Sequence, residues 1–283
     1  MTAARPFIKT VGGKTQLLPE LRKHLPREFN GYYEPFVGGG ALFFDLVDRG
    51  YVNAADCTLG DRNKRLVRAY RGIRDDVDEV IHRLKVYAKH YASRGKDFYL
   101  ATRSDQTRSM AWDDADMAAW YVFMNKAGFN GVYRENKQGL YNVPAGKFKT
   151  PPVICDEENL RAVALVLRNV DTYAGPFHKL LEGPDAPRKG DLVYMDPPYW
   201  PASATADFTS YVRHAFGPAE QRLLRDVALD LKDRGIHVML SNNDVPEVRK
   251  LYARDFDVHR VEARRSVNSN VKKRGPVGEL IIT

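Results

Sequence analysis

Residues 218–240 restrict the fold more than any other part of this chain. Leu223, Leu224, Val227, Ala228 and Leu231 fall on one helical face, Pro218 stands at the start and Gly235 just past the end, so residues 219–234 are predicted to form an amphipathic helix. The chain then runs into Ile236-His237-Val238-Met239-Leu240, an apolar run of strand length, and Leu192 to Met195 and Leu280 to Ile282 are runs of the same kind. Helices with one apolar face, alternating with strands apolar on both, can all be buried only if helices cover both sides of a sheet. The expected class is therefore α/β, with a doubly wound, mostly parallel sheet. Residues 90–153 differ in character, being richer in aromatics, Asn, Gly and Lys. They are expected to belong to an insertion over residues 72–153, leaving residues 1–71 and 154–283 to form the α/β domain.

A chain of 283 residues with 43% hydrophobic content can bury such a core as one large domain carrying an insertion. No stretch approaches the ~18 apolar residues of a membrane span, and Met1 to Arg5 lead into Pro6-Phe7-Ile8 without the apolar run of a signal peptide, so a cytoplasmic protein is expected. Cys57 and Cys155 lie too far apart for a CxxC site, and the seven histidines show no HxH or HExxH spacing, so no metal is expected. A net charge of +8 suits a polyanionic partner such as nucleic acid.

Three stretches carry chemistry. In the first, Tyr33-Glu34-Pro35-Phe36-Val37-Gly38-Gly39-Gly40 precedes Ala41 to Leu46, which reads as a helix. Such a loop fits a tight turn, and it also fits backbone N–H groups brought close to a nucleotide or carboxylate. Asp61 favours the second reading: it lies about 20 residues on, after the predicted strand Cys57 to Gly60, where a carboxylate can accept both ribose hydroxyls. The pair reads as an adenosyl-cofactor site. Gly12-Gly13-Lys14-Thr15 lacks the first glycine of a phosphate-binding GxxxxGK[ST] loop, Ile8 standing in its place. Lys14 is therefore read as free for another anionic group, such as a methionine carboxylate.

The second stretch is Asp196-Pro197-Pro198-Tyr199, directly after the apolar strand ending at Met195, at the carboxyl edge where doubly wound sheets bind ligands. It would serve as a rigid turn. It also suits a definite reaction, because an exocyclic aromatic amine has its lone pair delocalised into the ring and must have it localised before it can attack. Two acceptors suffice, the Asp196 carboxylate and the Pro197 carbonyl held rigid by the proline pair, while Tyr199 can stack on a base that has left the duplex. The third stretch, Asn125 to Asn136 and Asn142 to Lys149, interleaves basic, amide and aromatic residues on glycine-rich loops. That pattern suits guanine edges, phosphates and a wedge into a base stack, and equally a solvated loop.

With these residues in hand, the chain resembles the Dam-type DNA adenine-N6 methyltransferases of bacteria and phages, the D12 class, over nearly its whole length. The matching pieces, in the family's order, are Phe7 to Lys14, Glu34 to Gly40, Gly60 to Asn63, Asn130 to Arg134, Asn142 to Lys149, Asp196 to Tyr199, Ser203 to Thr209, Leu240-Ser241-Asn242 and Arg264-Arg265-Ser266. The resemblance implies a Rossmann-like class I methyltransferase fold with an inserted target-recognition domain, S-adenosyl-L-methionine as cofactor and double-stranded DNA as partner, acted on by a monomer. Thr10, Lys14, Phe36 and Asp61 would hold the cofactor, together with Glu34, Gly38 and Gly40 of the glycine loop, and Asp196 would lie between cofactor and adenine. Members of this type recognise GATC. By position, Lys9 and Arg134 would face guanines, with Asn130 beside them; Val132 and Pro144 would make apolar base contacts and Phe129 would support the stack around the flipped base. Asn136, Asn142 and Lys147 would meet the DNA backbone. Three residues depart from the usual pattern: Thr10 replaces a common tryptophan, Val132 a leucine, and Phe148, also at the DNA surface, a tyrosine.

Other classes explain less. A Rossmann dehydrogenase shares the glycine loop and downstream acid but not Asp196-Pro197-Pro198-Tyr199 beside a basic insertion. Methyltransferases of RNA or of a protein glutamine amide more often carry asparagine at the position of Asp196. A DNA-binding protein without activity would not need both halves of the chemistry.

Overall fold

The structure is a computed structural model that describes residues 2–200, 216–264 and 276–283. Ser203 to Thr209 and Arg265-Ser266, which carry part of the resemblance, lie outside the described residues. Among those described, seven strands form one sheet: β1 (Tyr32–Glu34), β2 (Cys57–Asp61), β3 (Asp171–Ala174), β4 (Leu192–Met195), β5 (His237–Asn243), β6 (Val258–Arg264) and β7 (Pro276–Ile282), in the order β3-β2-β1-β4-β5-β7-β6. The first five are parallel, Tyr32 facing Cys57 on one side and Leu192 on the other, and Leu192 facing His237. β7 enters antiparallel between β5 and β6, with Asn243 opposite Glu279 and Val258 opposite Ile282. This is the doubly wound, mostly parallel sheet expected from the sequence.

Helices cover both faces. On one face α8 (Pro218–Asp233) and α9 (Pro246–Tyr252) bury Leu224, Val227, Leu231, Val248 and Tyr252 against Val193, Met195, Leu240 and Leu280. Alternate strand residues, Tyr32, Leu192, Tyr194 and Met239, point into the opposite core, which also holds residues of α2 (Ala41–Asp48), α3 (Lys64–Asp75) and α6 (Glu157–Leu167). The ends of α8 follow the sequence: Pro218 opens it, the Glu220 carboxylate accepts from the Gly217 N–H at 2.9 Å, and Gly235 at φ 75° turns the chain into β5.

Within residues 72–153, α4 (Val77–Ser104) bends at Gly95, whose φ is 49°, and α5 (Asp114–Ala127) packs between α4 and α3. A side chain at Gly72 of α3 would stand 2.0 Å from the Asp114 carbonyl oxygen, so the close approach of these helices requires glycine there. With neighbours on both sides, α5 is buried almost all round, and Trp120 donates its indole N–H to the Thr102 carbonyl at 2.9 Å. Much of the aromatic richness of this region is thus interior: Tyr99, Trp120, Phe123 and Tyr141 are each at most 3% exposed.

Candidate active site and nucleic-acid interface

Because β1, β2 and β4 are parallel and in register, their carboxyl ends bring Glu34, Asp61 and Asp196 to one edge of the sheet. A cleft of about 350 Å³ opens there, lined by Thr10, Lys14, Glu34, Phe36, Gly38, Gly40, Asp61 and Asp196, which are all the residues the sequence points to for a cofactor, with Pro198 at its edge. The glycine loop turns between β1 and α2 with φ of 46° at Gly38 and 66° at Gly40. At Gly40 a side chain would meet the Tyr70 hydroxyl at 2.9 Å. Asp61 ties the loop down by accepting the Gly38 N–H at 3.2 Å and the Asn63 N–H at 2.8 Å. Burial pushes its carboxyl up to about 6, against the pull of these N–H groups. Phe36 forms an apolar wall with Phe177 and Phe216, at ring separations of 5.2 and 5.7 Å. Glu34 is buried and accepts from the Tyr32 hydroxyl at 2.8 Å; burial pushes its carboxyl up to about 8, the hydroxyl opposing and Asp196 adding to the rise.

Lys14 departs from the expectation of a lysine free for a ligand anion. It begins a short 3-10 turn, is 4% exposed, and places its ammonium 2.7 Å from Asp196 Oδ1 and 3.1 Å from Glu279 Oε1, while donating to the Tyr199 hydroxyl at 2.8 Å and the Gly12 carbonyl at 2.9 Å. Burial disfavours its charge, yet Asp196 and Glu279 raise its pKa overall. Burial pushes the Asp196 carboxyl up to about 6, against the pull of Lys14. Asp196 and Tyr199 thus join Lys14 and Glu279 in one largely enclosed ionic cluster.

Residues to which sequence reasoning assigned no role brace the turn after β4. Gln221 on α8 donates to the Pro198 carbonyl at 2.9 Å, Asn242 donates to Gln221 Oε1 at 3.1 Å and accepts from the Trp200 N–H at 3.4 Å, and Asn243 donates to the Trp200 carbonyl at 2.9 Å. Gln221 and Asn242 are fully buried, so each bond replaces one otherwise made to water. A signal existed: Gln221 is a polar residue three positions before Leu224 on the apolar stripe of α8.

The expected DNA-contacting residues lie outside the cleft but beside it. A hairpin follows α5, tied by bridges between Gly128 and Ala145 and between Glu135 and Tyr141. Lys9, one residue from Thr10 in the cleft, is clamped to it: Asn125 accepts the Lys9 N–H and donates to its carbonyl, both at 2.8 Å, and to the Gly131 carbonyl at 2.9 Å. Asn130 adopts a left-handed φ of 54° at this contact. Lys9, Phe129, Asn130, Arg134, Pro144, Lys147 and Phe148 are exposed, and Val132 is half-buried. Asn136 and Asn142 have internal work: Asn136 Oδ1 accepts from the Gln138 and Leu140 N–H groups, and Asn142 Oδ1 accepts from Arg134 Nε at 2.7 Å. Among the described residues no helix is long and apolar enough to cross a membrane, and no group of three His, Cys, Asp or Glu is placed to hold a metal ion.

Comparison with known proteins points to one family. The sequence model of the D12 class N6 adenine-specific DNA methyltransferases matches residues 11–267. A type II methyltransferase of Lactococcus lactis subsp. cremoris is 36% identical over 283 residues, covering 99% of this chain and 95% of the relative. A type II methyltransferase of Methanocaldococcus jannaschii is 36% identical over 290 residues, covering 98% of each. The DNA adenine methylase of Haemophilus influenzae is 33% identical over 278 residues, covering 98% of this chain and 92% of the relative.

Proposed function

The chain belongs to the D12 class N6 adenine-specific DNA methyltransferases, and on that premise we propose that it moves a methyl group from S-adenosyl-L-methionine to N6 of adenine in duplex GATC sites, releasing S-adenosyl-L-homocysteine and the proton that N6 gives up. The observation that carries this reading is the single cleft joining the glycine loop and Asp61 to Asp196. Its residues fit an adenosyl cofactor: the loop offers backbone N–H groups, Asp61 retains lone pairs for ribose hydroxyls beyond the two N–H groups it accepts, and Phe36 supplies an apolar wall. When bound, the cofactor supplies a methyl group on a positively charged sulfur.

The chain's own part is to present the amine. The Asp196 carboxylate accepts one N–H of the adenine amine and stabilises the positive charge that grows on nitrogen as its lone pair is committed. The second acceptor is the Pro197 carbonyl, the Pro198 carbonyl being taken by Gln221. The Tyr199 ring stacks on the base, which must leave the duplex to arrive here. Residues 72–153 act as the target-recognition part, with Lys9 and Arg134 on guanines, and a monomer visits each strand separately. Supporting this are the clamp of Lys9 to the hairpin and the outward side chains of Arg134 and Lys147.

Methyl transfer from labelled cofactor to duplex DNA, followed by sequencing of the methylated adenines, tests the whole reading. A motif without a central AT step, or methylation without preference, would overturn the specificity and leave the enzyme class intact. Asp61→Ala should weaken S-adenosylmethionine binding by roughly 1 to 3 kcal/mol and spare DNA binding in its absence. Unchanged cofactor affinity by calorimetry would remove Asp61 from the site.

A further inference from the structure

Glu279 stands midway along β7, and because β7 runs antiparallel to β5, with Glu279 opposite Asn243 at the end of β5, it arrives at the same carboxyl edge as Asp196. Its side chain is 10% exposed, accepts a short hydrogen bond from the Tyr199 hydroxyl and lies 3.1 Å from the Lys14 ammonium. Lys14 is therefore shared by two carboxylates, and it lies 4.9 Å from the centre of the Tyr199 ring. With Asp196 as its sole ionic partner, Lys14 would cancel the charge that the amine needs. With Glu279 present, Asp196, Glu279 and Lys14 carry a net charge of −1 when all are ionised, at the place where positive charge develops.

We propose that Glu279 is a positioning residue for methyl transfer, acting through Lys14 and Tyr199: it draws off part of the Lys14 charge so that Asp196 remains a strong acceptor, and it anchors the Tyr199 hydroxyl so that the ring is held against the adenine. The inference rests on the assignment of Asp196 and Tyr199 to the base. A carboxylate kept only to satisfy a buried lysine and a buried phenol would be a structural residue, and the two roles separate on charge. Besides Glu279, the charged and titratable groups around Asp196 are Lys14 from the N-terminal segment, Glu34 from β1, Tyr194 from β4 and Tyr199 from its own loop.

Glu279→Gln keeps a hydrogen-bond acceptor and removes the charge. Single-turnover methyl transfer should slow by about tenfold or more, the worth of one charge-assisted hydrogen bond. The acid limb of its pH profile should move below that of the parent, because Glu279 is one of the groups that hold the Asp196 carboxyl up. Cofactor affinity by calorimetry should stay within about twofold, since the change falls on the acceptor end of the cleft. Glu279→Asp, which restores the charge, should return the acid limb toward the parent position. Asp196→Asn is measured alongside. If it is inactive while Glu279→Gln retains the parental rate and acid limb, the role of Glu279 is wrong and that of Asp196 stands. If Asp196→Asn is active, the underlying assignment fails instead. A slow Glu279→Gln with an unmoved acid limb would make Glu279 structural and overturn the proposal. Should Glu279→Gln not fold, Tyr199→Phe keeps the ring and removes the hydroxyl that bonds both Glu279 and Lys14; an unchanged single-turnover rate there would overturn the anchoring role.

Discussion

The cleft at the sheet edge and the hairpin after α5 use their polar groups in opposite ways. In the cleft, Lys14, Asp196, Glu279 and Tyr199 are at least partly buried and engage one another, and burial raises the carboxyls of Asp196 and Glu34. In the hairpin, internal bonds from Asn125 and Asn136 fix the main chain and Asn142 holds the Arg134 guanidinium, while Lys9, Arg134, Lys147 and Phe148 keep exposed side chains. The difference fits the tasks proposed for them. Stabilising a transient charge requires dipoles already fixed and shielded from water, whereas reading DNA requires groups that exchange water for base edges and phosphates on arrival. The two regions are joined through Lys9, which Asn125 clamps to the hairpin, and through Arg65 at the start of α3, which bonds Glu135 of the hairpin at 3.0 Å.

If the division holds, single substitutions should separate chemistry, stability and readout. The largest effect is expected for Asp196→Ala, which should cut turnover on the order of 100-fold or more with little change in DNA affinity. Methylation within about threefold of the parent would break the comparison at its centre.

Next is Glu34→Gln. The folded protein raises the Glu34 carboxyl from 4.5 to about 8, so the folded state holds this proton more tightly than the unfolded chain. The corresponding stability is fully present below pH ~4.5 and is lost as pH rises through about 8. Glu34→Gln should therefore be more stable than the parent above that pH, by on the order of a few kcal/mol, and should flatten the alkaline decline in Tm. Parallel Tm–pH curves for the two proteins would show that Glu34 carries no such shift.

Arg134→Ala should cost ~1 to 3 kcal/mol at its cognate base pair and relax selectivity there. Equal loss on every duplex would reduce Arg134 to a mere charge. Smallest of all, Lys147→Ala should weaken all duplexes alike and lower the salt slope by about one unit, read from binding titrations at several salt concentrations. A slope unchanged on every duplex would remove Lys147 from the backbone contacts.

Much was legible locally. The helix predicted over residues 219–234 is α8 (Pro218–Asp233), and the predicted runs at Leu192 to Met195 and Ile236 to Leu240 became β4 and β5 (His237–Asn243), because hydrophobic spacing and end signals act within a few residues. The residues marked for a cofactor, from Thr10 to Asp196, meet in one cleft because parallel strands deliver their carboxyl ends together. Other features were illegible. The aromatic richness of residues 90–153 marked an insertion, but that Tyr99, Trp120 and Tyr141 are core was not visible, since composition does not say which side of a helix or hairpin is covered.

From sequence alone came the α/β class, the glycine loop with its downstream acid, and the Asp196-Pro197-Pro198-Tyr199 turn, all encoded in spacings short enough for local sterics and hydrogen bonding to decide. Tertiary structure alone decided that β7 slots antiparallel between β5 and β6, that Glu279 therefore reaches the catalytic edge, and that Lys14 is held by Asp196 rather than left free. Those outcomes depend on pairings between residues far apart in the chain, where the energy of burying a charge is settled by which partners the completed fold sets beside it.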